Sequence, residues 1–267
     1  MLPGPDNTER RNSGGTRLNF QSLKQKTDSA ATVDLLADGE NPFSTNKVTG
    51  HSLNYPIAVT CSPTKVCVTT CYFGRGPSTW TPSLRKQWRL YNSTFSDPIS
   101  TAKLIARYAK KMRLSFVRWN GGGDLFGESV ECINAAAELM PDVPQWVVTR
   151  LPHHAVNIEP AQNVYVHLSV DRRSWDRVRG MKEYAGNWFW SYQCDAGEFP
   201  QKSLAPVVFY DRYDLQGEPT NVDDCPLNVA DDIRGACESC RRCFNGDAVR
   251  RGAELMHTIP LGKGTPD

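Results

Sequence analysis

Seven of the nine cysteines in this chain fall into two groups, Cys61/Cys67/Cys71 and Cys225/Cys237/Cys240/Cys243. Thiols spaced this closely either cross-link the chain or gather around metal, so they constrain the fold more than any other feature. An odd total fits a complete disulfide set poorly. The opening run MLPGPDNTERRNSGG lacks the apolar core of a secretory signal. The expected setting is therefore reducing, the cytoplasm of a cell or of an infected host cell, where the two groups hold metal or iron–sulfur clusters. No stretch is apolar for the length a bilayer span needs, so no membrane partner is expected.

Residues 1–47 are rich in Ser, Thr, Asn, Gly and charge, and read as a disordered polar tail. Beyond them the texture changes to short apolar runs alternating with amphipathic segments. Tyr55–Cys61 reads as a first strand ending at a cysteine, followed by a long Pro/Gly/Ser/Trp-rich connection. Asp97 then caps a helix that has Pro98 at its first position and Ala102, Ile105, Ala109 and Met112 on one face. Further strands are expected at 114–119, 145–150, 164–170, 188–192 and 206–210. Helices are expected at 128–140 and 172–181. Strands alternating with helices argue for a parallel sheet. About six are too few for an eightfold barrel. The expected fold is thus α/β, a partial parallel (βα)6-type barrel over residues 48–215 carrying the first cysteine group. Residues 216–267 form a small Cys-rich metal-binding appendage. The net charge of +2 gives no global case for a nucleic-acid partner.

Three cysteines in one loop leave a metal centre one protein ligand short. On a 4Fe–4S cluster, one iron is then free for a substrate or cofactor. A structural zinc with a fourth ligand from elsewhere is the other reading. The second candidate is Gly121-Gly122-Gly123-Asp124, where three glycines bare the backbone at a strand end and a carboxylate could take an ammonium group. A tight turn with a capping Asp reads the same way. Both motifs are expected at the C-terminal ends of parallel strands, where α/β folds place ligands.

On these two motifs the chain resembles the radical S-adenosylmethionine superfamily over roughly residues 53–215. The resemblance implies that Cys61, Cys67 and Cys71 ligate a 4Fe–4S cluster. It also implies that Gly121, Gly122, Gly123 and Asp124 hold the methionine amino group of S-adenosylmethionine, and that Ser169 and Asp171 contact its ribose. The activity implied is reductive cleavage of that cofactor to a 5′-deoxyadenosyl radical that abstracts hydrogen from a substrate, with an electron donor as partner. The spacing departs from the family's commonest C-x3-C-x2-C. Here it is C-x5-C-x3-C, and Tyr72 follows the last cysteine instead of preceding it. The layout also resembles an uncharacterised phage family, gene product eighty-eight, in its early Cys loop, Gly-Asp-Leu segment and closing Cys-x2-Cys-x2-Cys-aromatic. That likeness implies a phage origin, and a nucleotide or nucleic acid becomes the guessed substrate.

Cys225, Cys237, Cys240 and Cys243 read equally as ligands of a second cluster or of a structural zinc. Cys132 reads as a small core residue and Cys194 is ambiguous. His153-His154 reads as a weak ligand pair. Arg150 is expected at the mouth, binding an anion or forming an ordinary salt bridge. Two rivals to the radical enzyme stand: a zinc-stabilised, transglycosylase-like nucleic-acid-modifying enzyme with Asp124 and Asp171 as its carboxylates, and a non-enzymatic zinc-binding interaction protein.

Overall fold

A computed structural model describes residues 19–46, 49–184, 186–195, 198, 204–210, 223–225 and 235–258. Seven strands form one mixed sheet whose spatial order follows the sequence: β1 (Ser44–Asn46), β2 (Gly50–Asn54), β3 (Val117–Gly122), β4 (Gln145–Thr149), β5 (Val164–Val170), β6 (Asn187–Gln193) and β7 (Val207–Phe209). β1 and β2 pair antiparallel; every later neighbour pairs parallel. The sheet is open, with β1 and β7 at its edges.

Helices supply the long connections that parallel neighbours require. The described ones are α1 (Phe20–Ser29), α2 (Ile57–Thr60), α3 (Lys65–Thr70), α4 (Thr81–Ser96), α5 (Pro98–Lys111), α6 (Gly127–Leu139), α7 (Pro152–Ala155), α8 (Asp176–Arg179), α9 (Ala236–Cys240) and α10 (Asp247–Leu255). α5 forms as its sequence predicts. Asp97 accepts the Ser100 backbone N–H at 2.9 Å, Pro98 opens the first turn, and Ala102, Ile105 and Ala109 are buried on one face. They meet Ile133 and Ala136 of α6 and the strand residues Leu53, Val117, Trp119, Val147, Val164 and Val166 in the main core. Cys132 lies fully buried there, as expected of a core thiol. The alternate strand residues face the other side of the sheet, where Trp146, Phe189 and Val207 pack against Phe244, Ala248 and cysteines of the second group.

Four expectations are corrected. The first parallel strand is Gly50–Asn54, not Tyr55–Cys61. Pro56 has no N–H to give a ladder, and it N-caps the helical turn α2 instead. Residues 1–18 of the expected disordered tail lie outside the described residues, but 19–46 are built into the fold. Asn19 caps α1, Trp88 Nε1 donates to the Thr27 carbonyl at 2.9 Å, Asn92 Nδ2 donates to that of Thr32 at 2.7 Å, and Arg89 pairs with Glu40 at 2.6 Å. This strip buries only a few apolar residues, among them Leu23, Ala30 and Phe43, and is otherwise held by hydrogen bonds from α4, so its composition looked featureless. The expected long connection contains α4, whose core face carries Gln87 and Thr94 beside Leu84 and Leu90. The expected helix at 172–181 shrinks to α8, followed by a 3₁₀ turn at Gly180–Glu183.

Among the described residues no helix is long and apolar enough to cross a membrane.

Candidate functional site

The C-terminal ends of the parallel strands form a mouth in which both sequence motifs meet. β3 is irregular there. Ser52 pairs with Arg118, yet Asn54 pairs with Gly122, so β3 carries extra residues in a bulge, with Asn120 in the left-handed region at φ 54°. A side chain at Gly122 would run into the Phe73 ring, and one at Gly123 (φ 84°) into the Tyr55 carbonyl and the Thr60 hydroxyl. The glycines therefore admit the loop that follows Cys71. Tyr72 completes the seal, donating its hydroxyl hydrogen to the Gly121 carbonyl at 2.5 Å.

Asp124 sits just beyond, almost fully buried. Its carboxylate accepts from Thr149 Oγ1 at 2.6 Å, the Leu125 N–H at 2.8 Å and the Arg150 N–H at 3.1 Å. Its own N–H donates to Thr60 Oγ1 at 2.9 Å. Burial nevertheless raises its pKa, against the pull of those donors. Asp124 thus fastens the end of β3 to the end of β4 and to the turn before Cys61.

Asp171, fully buried at the end of β5, is fastened in the same way. It pairs with Arg150 and accepts from Thr64 Oγ1, from Ser174 Oγ at 3.1 Å and from the Arg173 N–H at 2.9 Å. Arg150 also donates to Ser169 Oγ at 3.2 Å. Thr64 accepts the Cys67 N–H at 3.2 Å, so the cysteine loop is tied directly to the end of β5.

Cys61, Cys67 and Cys71 gather beside this network. Burial raises the Cys61 thiol well above its usual range, and Asp124, Cys67 and Cys71 push it further. Burial likewise raises Cys67 to about 11, opposed by the Arg150 guanidinium. Cys71 is raised less, because the Gly74 and Phe73 backbone N–H groups hydrogen-bond its sulfur. Without a cation all three stay protonated at neutral pH; a bound metal would deprotonate them. Neither nearby carboxylate is free to join them. The three thiols lie near enough to feel one another's charge.

The second group comes together on the sheet face below the mouth. Cys225 is held along β7, its N–H donating to the Val208 carbonyl at 2.9 Å. Arg251 grips Asp223 through two nitrogens at 2.9 and 3.0 Å and steadies that segment. Cys237 and Cys240 lie on α9, bounded by left-handed Gly235 (φ 65°) and Arg241 (φ 56°). Cys243 follows in a 3₁₀ turn whose Phe244 stacks on Phe116 with centroids 4.1 Å apart. Burial first, and then Cys225, Cys237 and Cys240, hold the Cys243 thiol well above its usual range. The described parts of the Cys-rich segment therefore pack on β4, β5 and β6. Residues 216–222, 226–234 and 259–267 lie outside the described residues.

Among the described residues, no three His, Cys, Asp or Glu side chains converge closely enough to hold one ion. Ligands of a cubane cluster each bind their own iron and stand further apart. His153 and His154 lie on α7 with rings 4.4 Å apart, and His154 faces Glu128 and a groove of about 480 Å³ lined by α6 residues, away from the thiols. Cys194 is buried among Trp190, Tyr192 and Val208. Sequence reasoning missed Arg118 and Thr64, which connect the motifs, and noted Tyr72 only for its place after Cys71. Thr64 could have been found as the residue three before Cys67, a helix-capping position. A family model described as Gene product 88 matches residues 18–246. No curated protein and no solved structure matches the chain.

Proposed function

The chain belongs to the gene product 88 family, and we propose that it is an iron–sulfur enzyme of the radical S-adenosylmethionine type, working in the cytoplasm of a cell or an infected host. In this reading β2–β7 form a partial barrel, and Cys61, Cys67 and Cys71 hold a 4Fe–4S cluster at its mouth. One observation carries the proposal: three thiols lie together beside the strand ends, while the neighbouring carboxylates among the described residues, Asp124 and Asp171, are already bound within the protein. Structural zinc is closed by four protein ligands; no fourth donor stands beside these thiols among the described residues, which favours a cluster with one unligated iron.

The thiols and their surroundings fit the cluster. The Gly74 and Phe73 N–H groups would stabilise the Cys71 thiolate, and Arg150 would offset negative charge at Cys61 and Cys67. Tyr72 and Phe73 pack the cysteine loop against the glycine strand. The side chains expected to grip adenosylmethionine fit less well. Asp124, Ser169 and Asp171 act as scaffold around Arg150, and a bound cofactor would have to draw on the open iron and the backbone around Gly121–Gly123. Adenosylmethionine, when bound, supplies a carbon radical after reductive cleavage. The chain's residues orient the cluster and exclude solvent, and a separate protein would donate the electron. The substrate proposed is a nucleotide or nucleic acid.

The transglycosylase-like alternative asks Asp124 and Asp171 to meet a substrate, and both are buried and saturated with donors. The second cysteine group holds a further cluster or a zinc ion. The test is anaerobic incubation of the reconstituted protein with dithionite and adenosylmethionine. 5′-Deoxyadenosine should form with the intact triad and not with Cys61→Ser/Cys67→Ser/Cys71→Ser. A reduced cluster whose electron paramagnetic resonance spectrum ignores adenosylmethionine, with no cleavage product, would refute the radical chemistry.

A further inference from the structure

Five buried polar atoms without a hydrogen-bond partner follow one another across the parallel strands. They are Arg118 Nε and Asn120 Oδ1 on β3, Arg150 Nε just after β4, His167 Nε2 on β5 and Ser191 Oγ on β6. The register sets them side by side: Arg118 pairs with Trp146, Val148 with His167, and Ser169 with Ser191. The Arg118 guanidinium stacks over Trp146 at 4.8 Å, and the His167 ring lies between Trp146 and Phe189, so these side chains share one face of the sheet. Asn120 Nδ2 donates to the Val148 carbonyl at 2.8 Å, and Arg150 Nη1 to Ser169 Oγ at 3.2 Å. Strands stand about 4.8 Å apart, so the row from β3 to β6 runs about 14 Å. Val148, Tyr165 and Ser169, set among these residues, are only half-buried, which leaves room over this part of the face.

Folded chains leave few buried polar atoms unpaired, and five in one row call for a ligand. Its chemistry follows from what the row offers. Trp146 Nε1 donates to His167 Nδ1 at 3.1 Å, so the ring proton is on Nε2. Four of the five atoms can then donate, and Asn120 Oδ1 only accepts. The charge is one-sided as well. Arg150 pairs with Asp171, but none of the ion pairs among the described residues includes Arg118, whose Nη2 meets only the neutral Tyr72 hydroxyl at 2.8 Å. Burying a guanidinium that nothing neutralises is costly, and a phosphate accepts from one through two nitrogens. We propose that this row is the substrate seat and binds a nucleoside monophosphate, its phosphate on Arg118 and its sugar and base across Asn120, His167 and Ser191. The proposal rests on reading the strand ends as an active site for a nucleotide. It assigns the place and the anionic group of that substrate.

The full chain is titrated calorimetrically with the ribonucleoside 5′-monophosphates of the common bases, with the matching nucleosides and with inorganic phosphate. At least one monophosphate should bind, more tightly than its nucleoside or phosphate alone, and should raise the thermal midpoint. Arg118→Met should weaken that monophosphate roughly 10–100-fold and leave its nucleoside unchanged, so the preference for the phosphate disappears. A packing role for Arg118 would not move that preference. Arg118→Lys, which keeps the charge and loses Nε, should fall between the two and carries the test if Arg118→Met does not fold. His167→Phe should weaken monophosphate and nucleoside alike, roughly 2–10-fold. A parent that binds none of the monophosphates, or an Arg118 variant that keeps the full preference for the phosphate, would overturn the proposal. Binding needs no cluster chemistry. Monophosphate binding in a protein that never forms 5′-deoxyadenosine would uphold the seat and refute only the radical reading.

Discussion

Substituting His167 by Phe isolates one titration inside the sheet. The ring lies on β5 between Trp146 and Phe189 and is almost fully buried. Its Nδ1 accepts from Trp146 Nε1 at 3.1 Å, which puts the ring proton on Nε2, and Nε2 is buried without a partner. Burial, and then the charge of Arg118, lower its pKa from 6.5 to about 3. The folded value lies below the unfolded one, so the stability tied to the neutral ring is whole above about pH 6.5 and is lost as pH falls toward about 3. The loss is about 1.4 kcal/mol per pH unit, or about 2 kcal/mol by pH 5. At pH 8 the substitution orphans Trp146 Nε1 but removes the orphaned Nε2, each worth about 1–3 kcal/mol, so the two nearly cancel. Urea unfolding of both proteins in one metal state should show similar midpoints at pH 8. At pH 5 His167→Phe should be the more stable by about 2 kcal/mol. Other titrating groups are common to both proteins and drop out of the difference. Stability curves that run parallel from pH 8 to pH 5 would refute the argument.

Gly122→Ala drives a Cβ into the Phe73 ring; it should cost about 1–3 kcal/mol and displace the loop after Cys71, seen as a lower thermal midpoint and lost metal at the first group. Gly127→Ala, at the start of α6 with open space around it, is the control and should be neutral or stabilising by up to about 1 kcal/mol. Thr149→Val removes the 2.6 Å bond to Asp124 and should cost about 1–3 kcal/mol in urea unfolding. Arg150→Met strands the buried Asp171 and should cost about 3–5 kcal/mol. Adding Asp171→Asn should recover part of that loss, and a strictly additive double mutant would contradict the pairing.

The regular middle of the fold was legible in the sequence because its signals are local. Asp97-Pro98 and the apolar stripe of α5 specify a helix, and the β-branched and aromatic runs of β4, β5 and β6 mark strands in the order observed. The first parallel strand was misplaced because Gly50–Asn54 holds one strongly apolar residue, Leu53, and the apolar run after it belongs to a helical turn begun by Pro56. α4 was hidden by Gln87 and Thr94 at buried stations, where each finds an acceptor: Gln87 Nε2 donates to the Ser78 carbonyl and Thr94 Oγ1 to that of Leu90. The meeting of the cysteine loop with Gly121–Asp124 was expected from their places at strand ends. The use of Asp124 and Asp171 was not, because local sequence does not reveal which donors a long-range fold will bring to a carboxylate. Arg118 went unnoticed for the same reason. Its hydrogen-bond partner Tyr72 and the Trp146 ring it stacks on lie far from it along the chain.

The most direct test of a cluster on the first cysteine group is chemical. Iron, acid-labile sulfide and zinc would be measured per chain after anaerobic reconstitution, for the parent and for Cys61→Ser/Cys67→Ser/Cys71→Ser. The parent should carry about four more irons and four more sulfides than the triple variant. Equal iron and sulfide in the two proteins, or zinc alone in the parent, would contradict the account.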